Sequence, residues 1–294
     1  GPPGICRSLP PLQVRPVSSP STSISYRSLF EEPGAAIYML ATFLGRVPIA
    51  MRALGCVLLV ESLTGSYGLA GLVGAAQTLV SAFAAPRLGR IADVHGERLV
   101  LFWSAIVHTI GIIWLILAAY AETHPLVMLA GAAVIGASAV PFGSLSRAFW
   151  VQALGKGRRL ERAYAMESMM DEMGFVIGPM LVVPLSVSVH PAAGLLAALA
   201  MTIAASVVML LRKPVANAVR IAPTDVNAPE GVTVIGIPGM RVLVGSLLFL
   251  GIIFGAVEIV LVAFAENLGQ PNAASILAAI FAIGSLLGAI GYGA

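Results

Sequence analysis

The sequence predicts an all-α integral membrane protein, and three observations carry that prediction. Of its 294 residues, 58% are hydrophobic and 11% are charged, where soluble domains carry about 25% charged residues. The apolar residues gather into long runs, each near the ~20 residues that take a helix across a bilayer. Lysines and arginines fall in alternate loops between those runs, the pattern left by helices that cross and recross a membrane.

Eight spans follow in order along the chain. Span 1 covers 34–60 and ends before a loop around Thr64 that holds no lysine or arginine. Span 2 covers 67–88 and is almost wholly apolar from Tyr67 to Pro86, and span 3 covers 99–121. Between them lies only Gly89-Arg90-Ile91-Ala92-Asp93-Val94-His95-Gly96-Glu97-Arg98, a charged, glycine-hinged turn at a membrane surface, so spans 2 and 3 are antiparallel neighbours. Span 4 (125–150) and span 5 (164–188) flank a basic turn, and span 6 (191–211) follows a short loop at His190. Spans 7 (240–264) and 8 (272–294) come after a longer polar stretch.

Orientation follows from the basic residues, which cytoplasmic loops retain. Arg7, Arg15 and Arg27 precede span 1, and Arg87, Arg90 and Arg98 lie between spans 2 and 3. Arg147, Lys156, Arg158, Arg159 and Arg162 surround the next turn on the same side, and Arg212, Lys213, Arg220 and Arg241 the one after it. The opposite loops, around Thr64, His124, His190 and Gly269, hold no lysine or arginine. A cytoplasmic amino terminus and a multi-pass protein of the cell membrane are therefore expected. The net charge of +3 reflects this topology, and no nucleic-acid partner is implied. Cys6 and Cys56 are the two cysteines, too few and too differently placed for a disulfide framework.

Four segments are expected. Residues 1–33, rich in Pro and Ser, form a disordered cytoplasmic tail with no secretory core; they are a genuine tail, misassigned upstream sequence or a leftover of cloning. Residues 34–211 form a six-helix bundle, and 212–239, with Pro214, Pro223, Pro229 and Pro238, a cytoplasmic linker. Residues 240–294 form two helices of a second bundle. Ser285, Gly293 and Gly269 repeat Ser81, Gly89 and Gly65 at a constant offset of 204 residues, and related halves are a transporter design. On that register the sequence reads as truncated, stopping where the second copy of the charged turn would begin.

The charged decapeptide resembles the signature of the major facilitator superfamily, Gly-x-x-x-Asp-(Arg/Lys)-x-Gly-(Arg/Lys)-(Arg/Lys), in the topological position where that family has it. Gly89, Asp93, Gly96 and Arg98 match, while Val94 and Glu97 depart and thin the usual basic cluster. Gly174-Phe175-Val176-Ile177-Gly178-Pro179 is similar to the Gly-x-x-x-Gly-Pro core of the family's antiporter-associated motif, with Ala165, Val182 and Val183 where flanking glycines are usual. Tyr26 to Phe30, Thr64 to Gly71 and Gly255 to Glu258 add to a likeness with actinobacterial efflux-type permeases over residues 26–294. The resemblance implies two six-helix bundles around a cavity that opens alternately to each side, and transport of a small-molecule substrate. It also implies that Asp93 helps latch the bundles together in the outward-facing state.

The residues themselves support mechanical readings. Asp93, near the end of span 2, is placed to accept hydrogen bonds from a helix amino terminus or an arginine. Gly89 allows close helix approach and Gly96 a tight turn. Gly174 and Gly178, four apart, let helices pack closely, and Pro179 bends span 5. Without the family these positions read as a polar turn and static packing.

Ionisable groups inside spans are costly and face a cavity or a partner. Arg46 lies about 12 residues, or ~18 Å at 1.5 Å per residue, into span 1, and Asp171 and Glu172 lie about a third of the way into span 5. Arg46 paired with Asp171 or Glu172 is the expected charge pair, one carboxylate carrying a proton. The alternative has both acids nearer the interface, paired structurally with Arg147 or Arg162. Glu258 in span 7 and His108 in span 3, which can titrate near neutral pH, are further cavity candidates.

No phosphate-binding loop, Cys/His metal cluster or nucleophile elbow is present in the sequence. An ATP-hydrolysing or other enzyme is therefore not expected, nor is a cofactor or metal. The reading is a secondary active transporter, a proton-coupled exporter of drugs or metabolites with protons, substrate and bilayer as partners. One alternative is an organic-anion exchanger or uptake permease using Arg46, although its offset counterpart is Leu250. Another is a non-transporting sensor or scaffold with the same fold.

Overall fold

The computed structural model describes residues 29–30, 34–211, 238–270 and 273–293. Most of the tail and of the linker expected at 1–33 and 212–239 lies outside the described residues. Among the described residues the elements are α1 (Ala35–Thr64), α2 (Tyr67–His95), α3 (Glu97–Tyr120), α4 (Pro125–Ala137), α5 (Phe142–Leu154), α6 (Arg158–Pro184) with a π-helical extension (Leu185–Val189), α7 (Ala193–Leu211), α8 (Pro238–Asn267) and α9 (Ala273–Gly293). Seven helices are long and apolar enough to cross a membrane among the described residues, α4 and α5 counting as one span. The protein is all-α, as its apolar runs require: with no water in the hydrocarbon, backbone groups pair within each helix.

Three of the sequence-derived boundaries are corrected. Span 4 is two helices, because Pro141 has no N–H to continue α4 and drives Val140 out of the helical region; Ser138 to Pro141 form the joint between α4 and α5. The ten-residue turn is mostly helix, since α2 runs to His95 and α3 starts at Glu97. Only Gly96 breaks the path, at φ 95° and ψ 147°, a conformation that glycine alone adopts freely. The basic turn after span 4 shrinks to Gly155–Gly157, because α5 and α6 continue past the apolar residues.

α1 is the central strut. It packs against α2, α5, α6 and α7, and from Thr42 to Val60 every residue except Ile49 is buried or half-buried, as a mostly apolar helix should be inside a bundle. At one end its Tyr38 joins Leu101, Phe142, Phe149 and Trp150. At the other its Leu59 joins Val73, Ile112, Leu115, Ile135 and Leu195. Glycines thread α4 between its neighbours: a Cβ at Gly111 would come 2.9 Å from the Ile135 nitrogen, and one at Gly136 would collide with the backbone of Gln77.

After Pro184, which supplies no backbone donor, the helix widens by one residue, with His190 N–H bonded to Leu185 O at 3.1 Å. α9 packs on α6, and Val262, Ala265 and Ala274 share an apolar cluster with Val47, Met51 and Val182. α1 and α8 are each followed by a left-handed glycine, Gly65 at φ 65° and Gly269 at φ 69°, the pair related by the offset of 204.

Candidate functional site

The candidate site forms where α5 and α6 meet α1. Glu167, Asp171, Gly174 and Gly178 recur at intervals of four, three and four, which places them in one stripe along α6. That stripe faces α1. A Cβ on Gly178 would lie 2.7 Å from Ala50 Cβ and 3.3 Å from Val47 O, and one on Gly174 would lie 3.6 Å from the Arg46 carbonyl carbon. The glycines bring the two helices close enough for the carboxylates below them to reach Arg46.

Arg46 is buried, and its two terminal nitrogens are engaged. Nη2 is paired with Glu167 Oε2. Nη1 donates to Glu167 O at 2.7 Å and lies 3.2 Å from Asp171 Oδ1. Glu167 has a side-chain exposure of 0%. Its Oε1 accepts from Ser146 Oγ at 2.6 Å and Trp150 Nε1 at 2.8 Å, two donors one turn apart on α5. A buried charge is tolerated when paired and hydrogen-bonded on its remaining lone pairs, and Glu167 meets both conditions. The break after α4 sets this arrangement up, since it seats the Phe142 ring on Gly45 and Gly143 beside Arg46. Tyr38 fixes the same turn of α5 by donating to Leu145 O at 2.9 Å.

Asp171 differs from Glu167 in access. Its side chain is 36% exposed and also lies 3.8 Å from Arg147 Nη2, itself 56% exposed. Two cations and two carboxylates thus alternate from the bundle interior towards its surface, with Asp171 between a buried and an exposed guanidinium. Both partners named for it from sequence, Arg46 and Arg147, touch it.

The remaining candidates lie elsewhere. Glu172 is half-buried and forms no ion pair among the described residues. Arg162 likewise takes no part in the cluster. His108 is buried against α4, with Nδ1 3.2 Å from Ile135 O and 3.3 Å from Ser138 Oγ. Glu258 lies on α8, and its side chain is outside the described residues. Gly89 and Asp93 are in the last turns of α2; Asp93 is exposed and pairs with none of the described residues. A Cβ on Gly89 would meet nothing nearer than Ser144 Oγ at 3.9 Å. Pro179 is buried within α6.

Glu167 was not among the sequence-based candidates, because it stands near the start of its apolar run, where an acid reads as interfacial. Its signal was the spacing from Asp171 to the two glycines, which marks the face that must carry the pair.

The family model of the Major Facilitator Superfamily matches residues 34–294. The chain belongs to the Major Facilitator Superfamily. No curated protein and no solved structure gives a significant match. Members of the superfamily are secondary transporters, generally without enzymatic activity, and this member is accordingly a multi-pass membrane protein with a transport substrate and the bilayer as its partners. In this superfamily member the ion-pair cluster lies inside the first six spans, on the helices that pack directly on α1.

Proposed function

We propose that this protein is a proton-coupled exporter of small organic compounds that works by alternating access, with Asp171 as the proton-carrying carboxylate. The observation that carries the reading is the position of Asp171, the one acid of the cluster with an exposed face while it still touches buried Arg46. Glu167 is enclosed and saturated with donors, so it serves as the fixed counter-charge of Arg46. When Asp171 is ionised it ties α6 to α1 and, through Arg147, to α5. When it is protonated both attractions weaken, and a helix packed on α1 through Gly174 and Gly178 can shift. The likeness of Gly174 to Pro179 to an antiporter-associated motif favours exchange of substrate against protons. A cytoplasmic amino terminus, a site in the plasma membrane and a latching role for Gly89, Asp93, Gly96 and Arg98 belong to the same proposal.

Arg46 is the residue an organic-anion carrier would use, and its engagement with Glu167 and Asp171 counts against that alternative. The test is reconstitution of the full-length protein in vesicles with an internal pH-sensitive dye and a panel of organic cations, neutral drugs and anions. Substrate-dependent proton movement is expected. A correctly folded protein that moves neither protons nor any substrate would instead support the sensor or scaffold reading.

A further inference from the structure

Arg52 lies six residues beyond Arg46 on α1, which at 100° per residue turns it to a different part of the bundle. It is 3% exposed, and its Nε and Nη1 have no hydrogen-bond partner. No carboxylate among the described residues lies within ion-pair distance of it. Cys56 lies one turn along the same face of α1, and His108 is buried on α3. Neither supplies a negative charge. Cys56 is a buried thiol among Leu59, Val73 and Ile112. The Ile135 carbonyl can only accept, so His108 Nδ1 carries the hydrogen, and the unpartnered Nε2 offers a neutral lone pair.

Arginine does not escape the cost of burial by deprotonation, and an uncompensated cation in a membrane-embedded interior is strongly unfavourable. Water can solvate the guanidinium but cannot neutralise it.

We propose that the interior of the first bundle binds one small inorganic anion against the Arg52 guanidinium of α1, chloride being the abundant choice, as a structural counter-ion. This site is separate from the Asp171 cluster and does not depend on proton coupling.

The test is thermal unfolding of the full-length protein in detergent, with chloride exchanged for bulky gluconate at constant ionic strength. The wild type should gain about 3 °C in Tm on going from gluconate to ~150 mM chloride, saturably. Arg52→Met, which removes the cation, and Cys56→Asp, which supplies a carboxylate one turn away, should both be insensitive to the exchange. Equal wild-type Tm in the two salts would overturn the proposal in favour of water alone, and an undiminished response in Arg52→Met would reduce it to a general salt effect. Should the variants fail to fold, wild-type crystals grown in bromide decide the matter. An anomalous peak beside Arg52 is expected, and its absence would overturn the site.

Discussion

Arg46 and Glu167, 121 residues apart in sequence, form a buried ion pair that joins α1 to α6. The pair is completed from α5 by Ser146 and Trp150, so three helices share one electrostatic centre. Truncating either charge leaves the other buried, a loss of about 3–5 kcal/mol, whereas replacing both by apolar groups costs far less. Glu167→Gln should therefore lower stability sharply, and Arg46→Leu with Glu167→Leu should be milder than Glu167→Gln alone. Thermal unfolding of the three proteins in detergent checks this order, and a double variant as damaged as the single one would refute it.

Trp150 makes a separable contribution. Trp150→Phe keeps most of the ring that packs on Phe149 at 5.1 Å but removes the donor to Glu167. A hydrogen bond to a charged group contributes roughly 1.5–3 kcal/mol, so a loss in that range is expected. Glu167→Gln should reduce the effect of Trp150→Phe, since the acceptor is then uncharged; a double-mutant cycle measures the coupling.

Gly178 sets how closely α6 approaches α1. A Cβ there would sit 2.7 Å from Ala50 Cβ, so Gly178→Ala should cost about 1–3 kcal/mol through overpacking. Ala50→Gly in the same chain should recover part of the loss. No recovery in unfolding measurements would mean that the strain lies elsewhere.

The two glycines of the charged segment should behave differently. Gly96→Ala places a side chain at φ 95° and should cost about 1–3 kcal/mol. Gly89→Ala, in a helix with its nearest neighbour 3.9 Å away, should leave stability unchanged or slightly raised. Equal losses from both substitutions would contradict this reading of the α2–α3 joint.

Much of this fold was legible in sequence because the bilayer forces apolar runs and backbone self-pairing. The run lengths gave most of the helices. What composition could not give was where helix stops and apolar character does not. Ser138 to Pro141 are apolar enough to continue span 4, yet Pro141 ends α4; Gly89 to His95 are polar enough to read as a turn, yet α2 continues through them. The site was half legible for a related reason. Arg46 and Asp171 stood out as charges deep in apolar runs, whereas Glu167 lay near a boundary and only its three-dimensional neighbours, Arg46, Ser146 and Trp150, explain its burial.

Asp171→Asn keeps the shape of the side chain and removes its charge cycle, so it tests proton coupling most directly. In vesicles holding the full-length protein, Asp171→Asn should fold, retain substrate binding and abolish substrate transport driven by an imposed pH gradient, while Glu172→Gln retains it. Wild-type rates of gradient-driven transport in Asp171→Asn would contradict the assignment of Asp171 as the proton carrier.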